Sequence, residues 1–181
     1  MTELLITSKV PGKLIYWRVP TMLHTGQNAD GDYINYYDYQ GQAFWAPVSD
    51  KISKVEIHMR REGSPGDITL ELWKCSGDGV DDRPSEKLAD LATKSRNEIP
   101  TSFSWVTFEC FENSPILEKD KKYAVVVHAY APDTDNSYRI YRYYDGSRTD
   151  GQYVHSHDGS SWDRSKYIDV EMRIYFGKEF R

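Results

Sequence analysis

Residues 51–73 have the sequence KISKVEIHMRREGSPGDITLELW, in which two alternating runs flank a turn-forming GSPGD segment. The apolar members are Val55, Ile57 and Met59 in the first run and Ile68, Leu70 and Leu72 in the second. Side chains on a strand point to opposite faces with period two, so each run predicts a strand with one buried and one solvent-facing row. The glycines and proline between the runs favour a chain reversal. We therefore predict a hairpin, two antiparallel strands of a half-buried sheet.

The size and composition of the chain indicate one globular domain. With 181 residues it can bury roughly 70% of its unfolded surface, so the core needs neither a disulfide nor a metal. The 14 Tyr and 5 Trp residues supply rings with one apolar and one polar end, which suit a sheet face or a contact surface. The net charge of −5 argues against nucleic-acid binding, because phosphates need a basic partner surface.

The N-terminal residues and the cysteines bear on where the protein resides. The opening sequence MTELLITSKVPGKL has no basic segment ahead of an apolar run, so we expect neither a secretory signal nor a membrane span. The protein is then expected to stay in the cytoplasm, or to leave it by lysis or assembly. Cys75 and Cys110 are expected to be buried free thiols that behave as small hydrophobic side chains.

Alternation returns along most of the remaining chain, and no stretch predicts a long amphipathic helix. Predicted strands include residues 105–110, 123–128, 138–144, 151–157 and 168–176, of which 123–128 is apolar on both faces and so central in its sheet. For residues 88–92 we favour a short strand over a helix, followed by a turn through 95–97. Short strands separated by turns predict an all-β protein, an antiparallel jelly-roll-like β-sandwich with an N-terminal extension. The predicted division is an arm or edge strands in 1–32 and the sandwich in 33–181.

Several segments resemble a family of β-sandwich modules that recur in archaeal, bacterial and phage surface proteins. The matching residues are Gln42, Phe44, the run KVEIHMRREGSPGDITLELW at 54–73, Pro84, Ser85, WVTFEC at 105–110, Pro115, KKYAVVVHA at 121–129, residues 136–138, GQY at 151–153, DGSSW at 158–162 and DVEMRIY at 169–175. The resemblance covers about residues 40–176. It implies a sandwich fold, and its motifs are structural ones that leave the function open.

Tyrosine and arginine concentrate in the predicted strands between residues 138 and 153. The candidate ligand or interface residues are Tyr138, Tyr141, Arg142, Tyr143, Tyr144, Tyr153 and Trp162. Such residues can form a sugar-stacking platform or a subunit interface, since Tyr, Trp and Arg supply much of the binding energy at interfaces. The alternative is that half of the tyrosines are core residues whose hydroxyls reach the rim of the sandwich, and that Trp162 packs over a sandwich edge.

Metal binding and catalysis have little support in the sequence. Calcium candidates are the oxygen-rich turns that contain Asp30, Asp32, Asp78 and Asp81, but none has the twelve-residue pattern of a calcium loop. His155 and His157 share a strand face, which suits a metal, although no third ligand is identifiable. No nucleophile elbow, zinc-protease motif or phosphate-binding loop is present. We therefore expect a protein that is not an enzyme and binds no cofactor.

Two functional hypotheses follow. The first is a non-catalytic structural protein of a virus or phage particle, a head-decoration, tail or fibre subunit that self-associates and docks on other virion proteins. Its location would be the virion, after synthesis in the host cytoplasm, and we expect a homo-oligomer. The second is a carbohydrate-binding module that binds a surface glycan through its Tyr- and Trp-rich face.

Overall fold

The computed structural model describes residues 15–18, 32–34, 39–76, 83–131, 133–144, 151–165 and 167–177. They form fourteen strands, β1 (Ile15–Arg18), β2 (Asp32–Ile34), β3 (Tyr39–Trp45), β4 (Ile52–Glu62), β5 (Ile68–Cys75), β6 (Pro84–Lys94), β7 (Ser104–Glu109), β8 (Lys122–Ala129), β9 (Ser137–Ile140), β10 (Arg142–Tyr144), β11 (Gly151–Ser156), β12 (Asp163–Ser165), β13 (Ile168–Val170) and β14 (Met172–Phe176). A single 3₁₀ turn, Arg96–Glu98, is the helical element of these ranges. Across the same ranges, no helix has the length and apolar character needed to span a membrane.

Two antiparallel sheets form the fold. In the first sheet the strand order is β1-β14-β4-β9-β2. Strands β14 and β9 pair with successive parts of one edge of β4, and β7 pairs with its opposite edge. In the second sheet the order is β12-β11-β3-β8-β5-β6, while β10 and β13 form a separate two-stranded ribbon. Strands that follow one another in sequence often lie in different sheets, as in a jelly roll. The prediction of an all-β, jelly-roll-like antiparallel sandwich is confirmed, and β8 is central in its sheet as predicted.

The core lies between the two sheets and is formed by their inward-facing rows. On β4, Val55, Ile57 and Met59 are fully buried, and on β5 the same is true of Leu70 and Leu72. Burying one such side chain contributes about 1.5–3 kcal/mol relative to leaving it exposed. The alternation in residues 51–73 therefore predicted the inward-facing rows correctly. The predicted solvent-facing row of the second run is wrong at Glu71 and Trp73, which are buried on the outer face of the second sheet.

The predicted hairpin within residues 51–73 is wrong. β4 lies in the first sheet, where it pairs with β14, β7 and β9. β5 lies in the second sheet and pairs with β6 and β8. The connection through residues 63–67 passes from one sheet to the other, so the two apolar rows belong to opposite sheets around one core. A period of two identifies the buried face of each strand, but it is the same for strands that pair side by side and strands in facing sheets.

A second apolar cluster covers the outer face of the second sheet. It consists of Ala43, Trp73, Cys75, Ala124, Val126, Val154 and Trp162, with Tyr39 packed against it. The Trp162 ring meets the Trp73 ring edge-on at 5.2 Å between centroids, and it meets the Tyr39 ring at 5.9 Å. Because of this cluster, part of the second sheet is buried on both faces.

Three further predictions concern individual segments. Residues 88–92 lie in the strand β6, which confirms the preference for a strand, and the 3₁₀ turn follows it. Cys75 and Cys110 are both buried, and no disulfide joins them. Within the predicted arm of residues 1–32, the described β1 pairs with β14 at one edge of the first sheet. The division at residue 32 stays a prediction.

Candidate functional site

The first sheet contains a fork, where two of its strands break and change partners. Residues 138–144 and 168–176, each predicted as one strand, are interrupted at Tyr141 and Glu171. Along β4, the residues up to Ile57 pair with β14, and the residues from Met59 onward pair with β9. The chains of β10 and β13 leave the sheet and pair with each other. The two predictions of continuous strands are therefore wrong at these positions.

Three backbone hydrogen bonds close the fork around His58. Its N–H donates to the Glu171 carbonyl at 3.0 Å, and its carbonyl accepts from the Tyr141 N–H at 2.9 Å. The Glu171 N–H in turn donates to the Tyr141 carbonyl at 2.9 Å. These bonds satisfy backbone groups that would otherwise lose their ladder partners at the breaks. As with other strand irregularities, the result is a local change in the direction of side chains.

The side chains at the fork form a compact group on the outer face of the first sheet. The His58 ring nitrogen Nδ1 lies 2.5 Å from a Glu171 carboxylate oxygen. The His58 ring lies 5.1 Å from the Tyr141 ring and 5.6 Å from the Phe103 ring, between centroids. Tyr141 and Phe103 meet edge-on at 5.4 Å. The hydrogen-bonded pair of His58 and Glu171 and the two rings therefore fix one another's positions.

Trp105 is the most exposed ring of this group. It lies opposite His58 in the pairing of β4 with β7, and the two rings stack at 5.3 Å. The Arg173 guanidinium lies 3.8 Å from the Trp105 ring centroid, and the Arg60 guanidinium lies 5.2 Å from that of Phe103. Trp105 nevertheless retains 36% of its surface exposed. We call His58, Arg60, Phe103, Trp105, Tyr141, Glu171 and Arg173 the fork surface.

Glu56 anchors the charged side of the fork surface. Its carboxylate accepts hydrogen bonds from the Tyr175 hydroxyl at 2.7 Å and from Arg173 at 3.3 Å. The Lys54 ammonium lies 3.5 Å away. Burial opposes ionisation of Glu56, but these hydrogen bonds and the positive charges outweigh it, so the pKa of Glu56 lies below its ordinary value. Glu56 is therefore ionised and holds Arg173 in place over Trp105.

The fork surface combines apolar ring area with fixed polar groups. Partly exposed aromatic rings offer contact area that loses little conformational freedom on binding. Guanidinium groups donate and carboxylates accept hydrogen bonds in planar, directional arrangements. Chemically, this surface suits a ligand that presents both apolar patches and hydroxyl or amide groups.

The structure distributes the seven residues proposed from the sequence over several places. Tyr138 is fully buried and donates its hydroxyl to the Gly66 carbonyl at 2.6 Å, and Tyr141 alone contributes to the fork surface. Tyr153 is buried, with the Arg142 guanidinium 5.1 Å from its ring, and Trp162 belongs to the apolar cluster on the second sheet. For Tyr143 and Tyr144 the structure describes the backbone of β10. The structure does not bring these seven residues together, and their roles in binding stay predictions.

Most residues of the fork surface were missed in the sequence. His58 and Arg60 were assigned to the solvent-facing row of β4, and Trp105 to the corresponding row of β7. A tryptophan in an outward-facing row was the available signal, since a large ring exposed on a sheet is a common feature of contact surfaces. Phe103 precedes β7 and Glu171 lies at the strand break, so the local alternation marks neither of them as part of a site.

Among the metal candidates, the structure describes the side chains of His155 and His157. Asp30, Asp78 and Asp81 lie outside the described residues, and Asp32 is described by its backbone in β2. His155 and His157 lie with their ring centroids 4.6 Å apart. No group of three or more His, Cys, Asp or Glu side chains within the described ranges is arranged to hold a metal ion.

Comparison with known proteins gives a fold relationship. No protein-family model matches the chain, and no curated protein matches it. Among solved structures, it is similar to the crystal structure of the cysteine protease and lectin-like domains of Cwp84, a surface layer associated protein of Clostridium difficile. The TM-score is 0.54 at 11% sequence identity, over 79% of this chain and 32% of that chain. The chain thus spans about a third of the length of that structure, and the similarity shows a shared fold over that part.

Proposed function

We propose that this protein is a non-catalytic carbohydrate-binding module whose ligand site is the fork surface. The observation that carries the proposal is a set of partly exposed rings held among ordered, paired charged side chains. Sugars present apolar C–H faces that pack on aromatic rings, and hydroxyl groups that hydrogen-bond with charged side chains. Trp105 and Tyr141 would supply the ring contacts, and Arg173 and Glu171 the hydrogen bonds.

The charges around the rings favour a sugar over a protein partner. Arg60 forms an ion pair with Glu62 at 2.6 Å, and Arg139 contacts the same carboxylate at 3.0 Å. Glu56 and Glu171 are likewise paired at the other end of the group. Protein interfaces are enriched in Arg but depleted in Glu and Asp, so the three carboxylates of Glu56, Glu62 and Glu171 are the feature that disfavours a protein partner. When a sugar binds, its hydroxyl groups replace the water molecules around such charges, so the charged side chains keep hydrogen-bonding partners.

The structural similarity adds support at the level of protein class. The similar solved structure contains a domain described as lectin-like, in a surface layer associated protein. A sandwich with a binding patch on the outer face of a sheet fits a module of that kind. The proposal treats the module as non-catalytic, and it therefore expects the bound glycan to be recovered unchanged after incubation with the protein.

A glycan array followed by titration calorimetry tests this proposal. The array should identify at least one glycan that binds the wild-type protein. In calorimetry with that glycan, Trp105→Ala should lower the affinity about tenfold or more, because a ring contact is lost. Trp45→Ala is the matched control, since it removes a partly exposed tryptophan of the second sheet that lies near Lys122. Circular dichroism should show that both variants fold.

Two results would count against the proposal. An array without any bound glycan would remove its basis. Equal affinities of the wild-type and Trp105→Ala proteins for a glycan found on the array would place the site elsewhere.

The hypothesis of a virus or phage particle subunit stays a prediction. It requires self-association, so light scattering on the purified protein should detect assemblies larger than one chain. A strict monomer that also fails to bind particles would exclude it. The two hypotheses are compatible, because attachment fibres that bind glycans would satisfy both.

A further inference from the structure

A cleft of about 350 Å³ lies beside the apolar cluster on the outer face of the second sheet. It is lined by Arg83, Pro84, Ser160, Ser161, Trp162 and Asp163. Small-molecule sites in proteins have volumes of roughly 300–1,000 Å³, so this cleft suits a ligand as small as a single sugar ring. It is separate from the fork surface, which lies on the outer face of the other sheet.

The exposed side chains that line the cleft are polar. Arg83, Ser160, Ser161 and Asp163 are exposed, while Pro84 and Trp162 are buried and only 5% of Trp162 is accessible. Among the described parts of the chain, neither the Arg83 guanidinium nor the Asp163 carboxylate is engaged in a hydrogen bond or ion pair. As far as those parts of the chain are concerned, the hydrogen-bond donors of Arg83 and the acceptors of Asp163 are therefore available to a ligand.

The charges of the rim select the class of ligand. One cation and one anion line the same cleft, so an anionic ligand would meet the Asp163 carboxylate and a cationic one the Arg83 guanidinium. A neutral ligand that both donates and accepts hydrogen bonds satisfies both groups. The Ser161 hydroxyl can also donate or accept, while the Ser160 hydroxyl already donates to the Asp158 carboxylate. A polyhydroxylated ring, whose hydroxyls both donate and accept hydrogen bonds, has this combination.

The loop that forms one wall of the cleft is held in place before any ligand binds. The Asp158 carboxylate accepts hydrogen bonds from the backbone N–H groups of Ser160 and Ser161, both at 2.8 Å. The Ser156 hydroxyl oxygen accepts from the Gly159 N–H at 2.9 Å. The Trp162 ring is fixed by its contacts with the apolar cluster described above. A site ordered in advance loses less entropy on binding.

We propose that this cleft is a second carbohydrate site, which binds one neutral sugar ring through hydrogen bonds between the hydroxyls of the sugar and the side chains of Arg83 and Asp163. The inference extends the proposed carbohydrate-binding function to the opposite sheet. It stands on the lining of the cleft, so it can hold or fail independently of the fork surface.

Saturation-transfer NMR with methyl glycosides of neutral hexoses and N-acetylhexosamines tests this proposal. The proteins compared are the wild type, Trp105→Ala, Arg83→Ala and the double variant with both substitutions. Arg96→Ala, which removes an exposed arginine from the 3₁₀ turn, is the matched control for Arg83→Ala. Arg83 is exposed, so its substitution should leave the fold intact, which circular dichroism checks. Trp162 is left unchanged because its removal would disrupt the apolar cluster.

The cleft proposal predicts that the glycoside signal persists in Trp105→Ala. It also predicts that the apparent affinity for the glycoside is about tenfold or more lower in the double variant than in Trp105→Ala. The Arg96→Ala control should match the wild type. Loss of all signal in Trp105→Ala would overturn the cleft while leaving the fork surface in place. A signal equal in the wild type and Trp105→Ala but lost in Arg83→Ala would uphold the cleft and contradict the fork surface. No glycoside signal in any protein would overturn the cleft proposal, and the glycan array then decides the fork surface separately.

Discussion

Cys110 shows how the core sets the chemistry of a single side chain. It is fully buried, and its thiol donates to the Phe108 carbonyl at 3.2 Å. Burial raises the pKa of the Cys110 thiol to about 12, well above its ordinary value of 9.0. The folded state therefore favours the neutral thiol. This preference stabilises the fold fully below pH 9 and is lost as the pH rises from about 9 towards 12.

A thiol-reactivity measurement checks this environment. Because the thiolate is the reactive form and Cys75 is buried as well, neither cysteine of the native protein should react with a thiol reagent at pH 8. In denaturant both should react within minutes. A cysteine that reacts in the native protein at the denatured rate would contradict the burial.

At the residue scale, the candidate site was the hardest part to predict. His58 and Glu171 are 113 positions apart in sequence, and the contact between their side chains depends on the fork. The sequence predicted ligand or interface residues in the Tyr-rich segment 138–144. In the structure Tyr141 lies at the fork surface and Tyr138 lies in the core. Composition shows that rings are present, but the face to which each ring points depends on strand breaks that have no local signal.

At the scale of elements, β3 depends on a glycine. A Cβ atom at Gly41 would lie 2.1 Å from the Val125 carbonyl oxygen and 2.7 Å from the Val126 Cα, both on the neighbouring β8. These are backbone atoms in the middle of a sheet, so they cannot move aside as a side-chain end could. Glycine is needed here because another backbone approaches too closely for any side chain.

Gly41→Ala is therefore expected to lower the free energy of unfolding by about 2 kcal/mol or more, because the added methyl group forces β3 and β8 apart. Ala43→Gly is the control in the same strand, since it removes a methyl group, and it should cost about 1 kcal/mol. Chemical denaturation of both variants measures the difference. A Gly41→Ala protein as stable as the wild type would show that β3 and β8 are not packed as described.

The strands themselves were more predictable than their partners. The alternation in residues 51–73 gave the buried rows of β4 and β5, and the apolar faces of residues 123–128 gave the central position of β8. The pairing of β4 with β5 was wrong, because a short connection can join neighbouring strands or pass between sheets. Pairing depends on contacts between distant segments, which the local period does not contain.

At the scale of the whole molecule, the sandwich separates its two candidate sites. The fork surface lies on the outer face of the first sheet, and the cleft lies on the outer face of the second, with the core between them. A ligand at one site therefore leaves the other open. A module of this form could hold two parts of a branched glycan, or two separate glycans, at once.

Glycan binding at the fork surface can be followed at a single ring, through the indole N–H signal of Trp105. The chain has five tryptophans, so a ¹H–¹⁵N spectrum contains few indole signals, and Trp105→Phe identifies the one that belongs to Trp105. On titration with a glycan from the array, the Trp105 signal should shift progressively and saturate with binding. A Trp105 signal that stays unchanged while the glycan is bound would contradict binding at the fork surface.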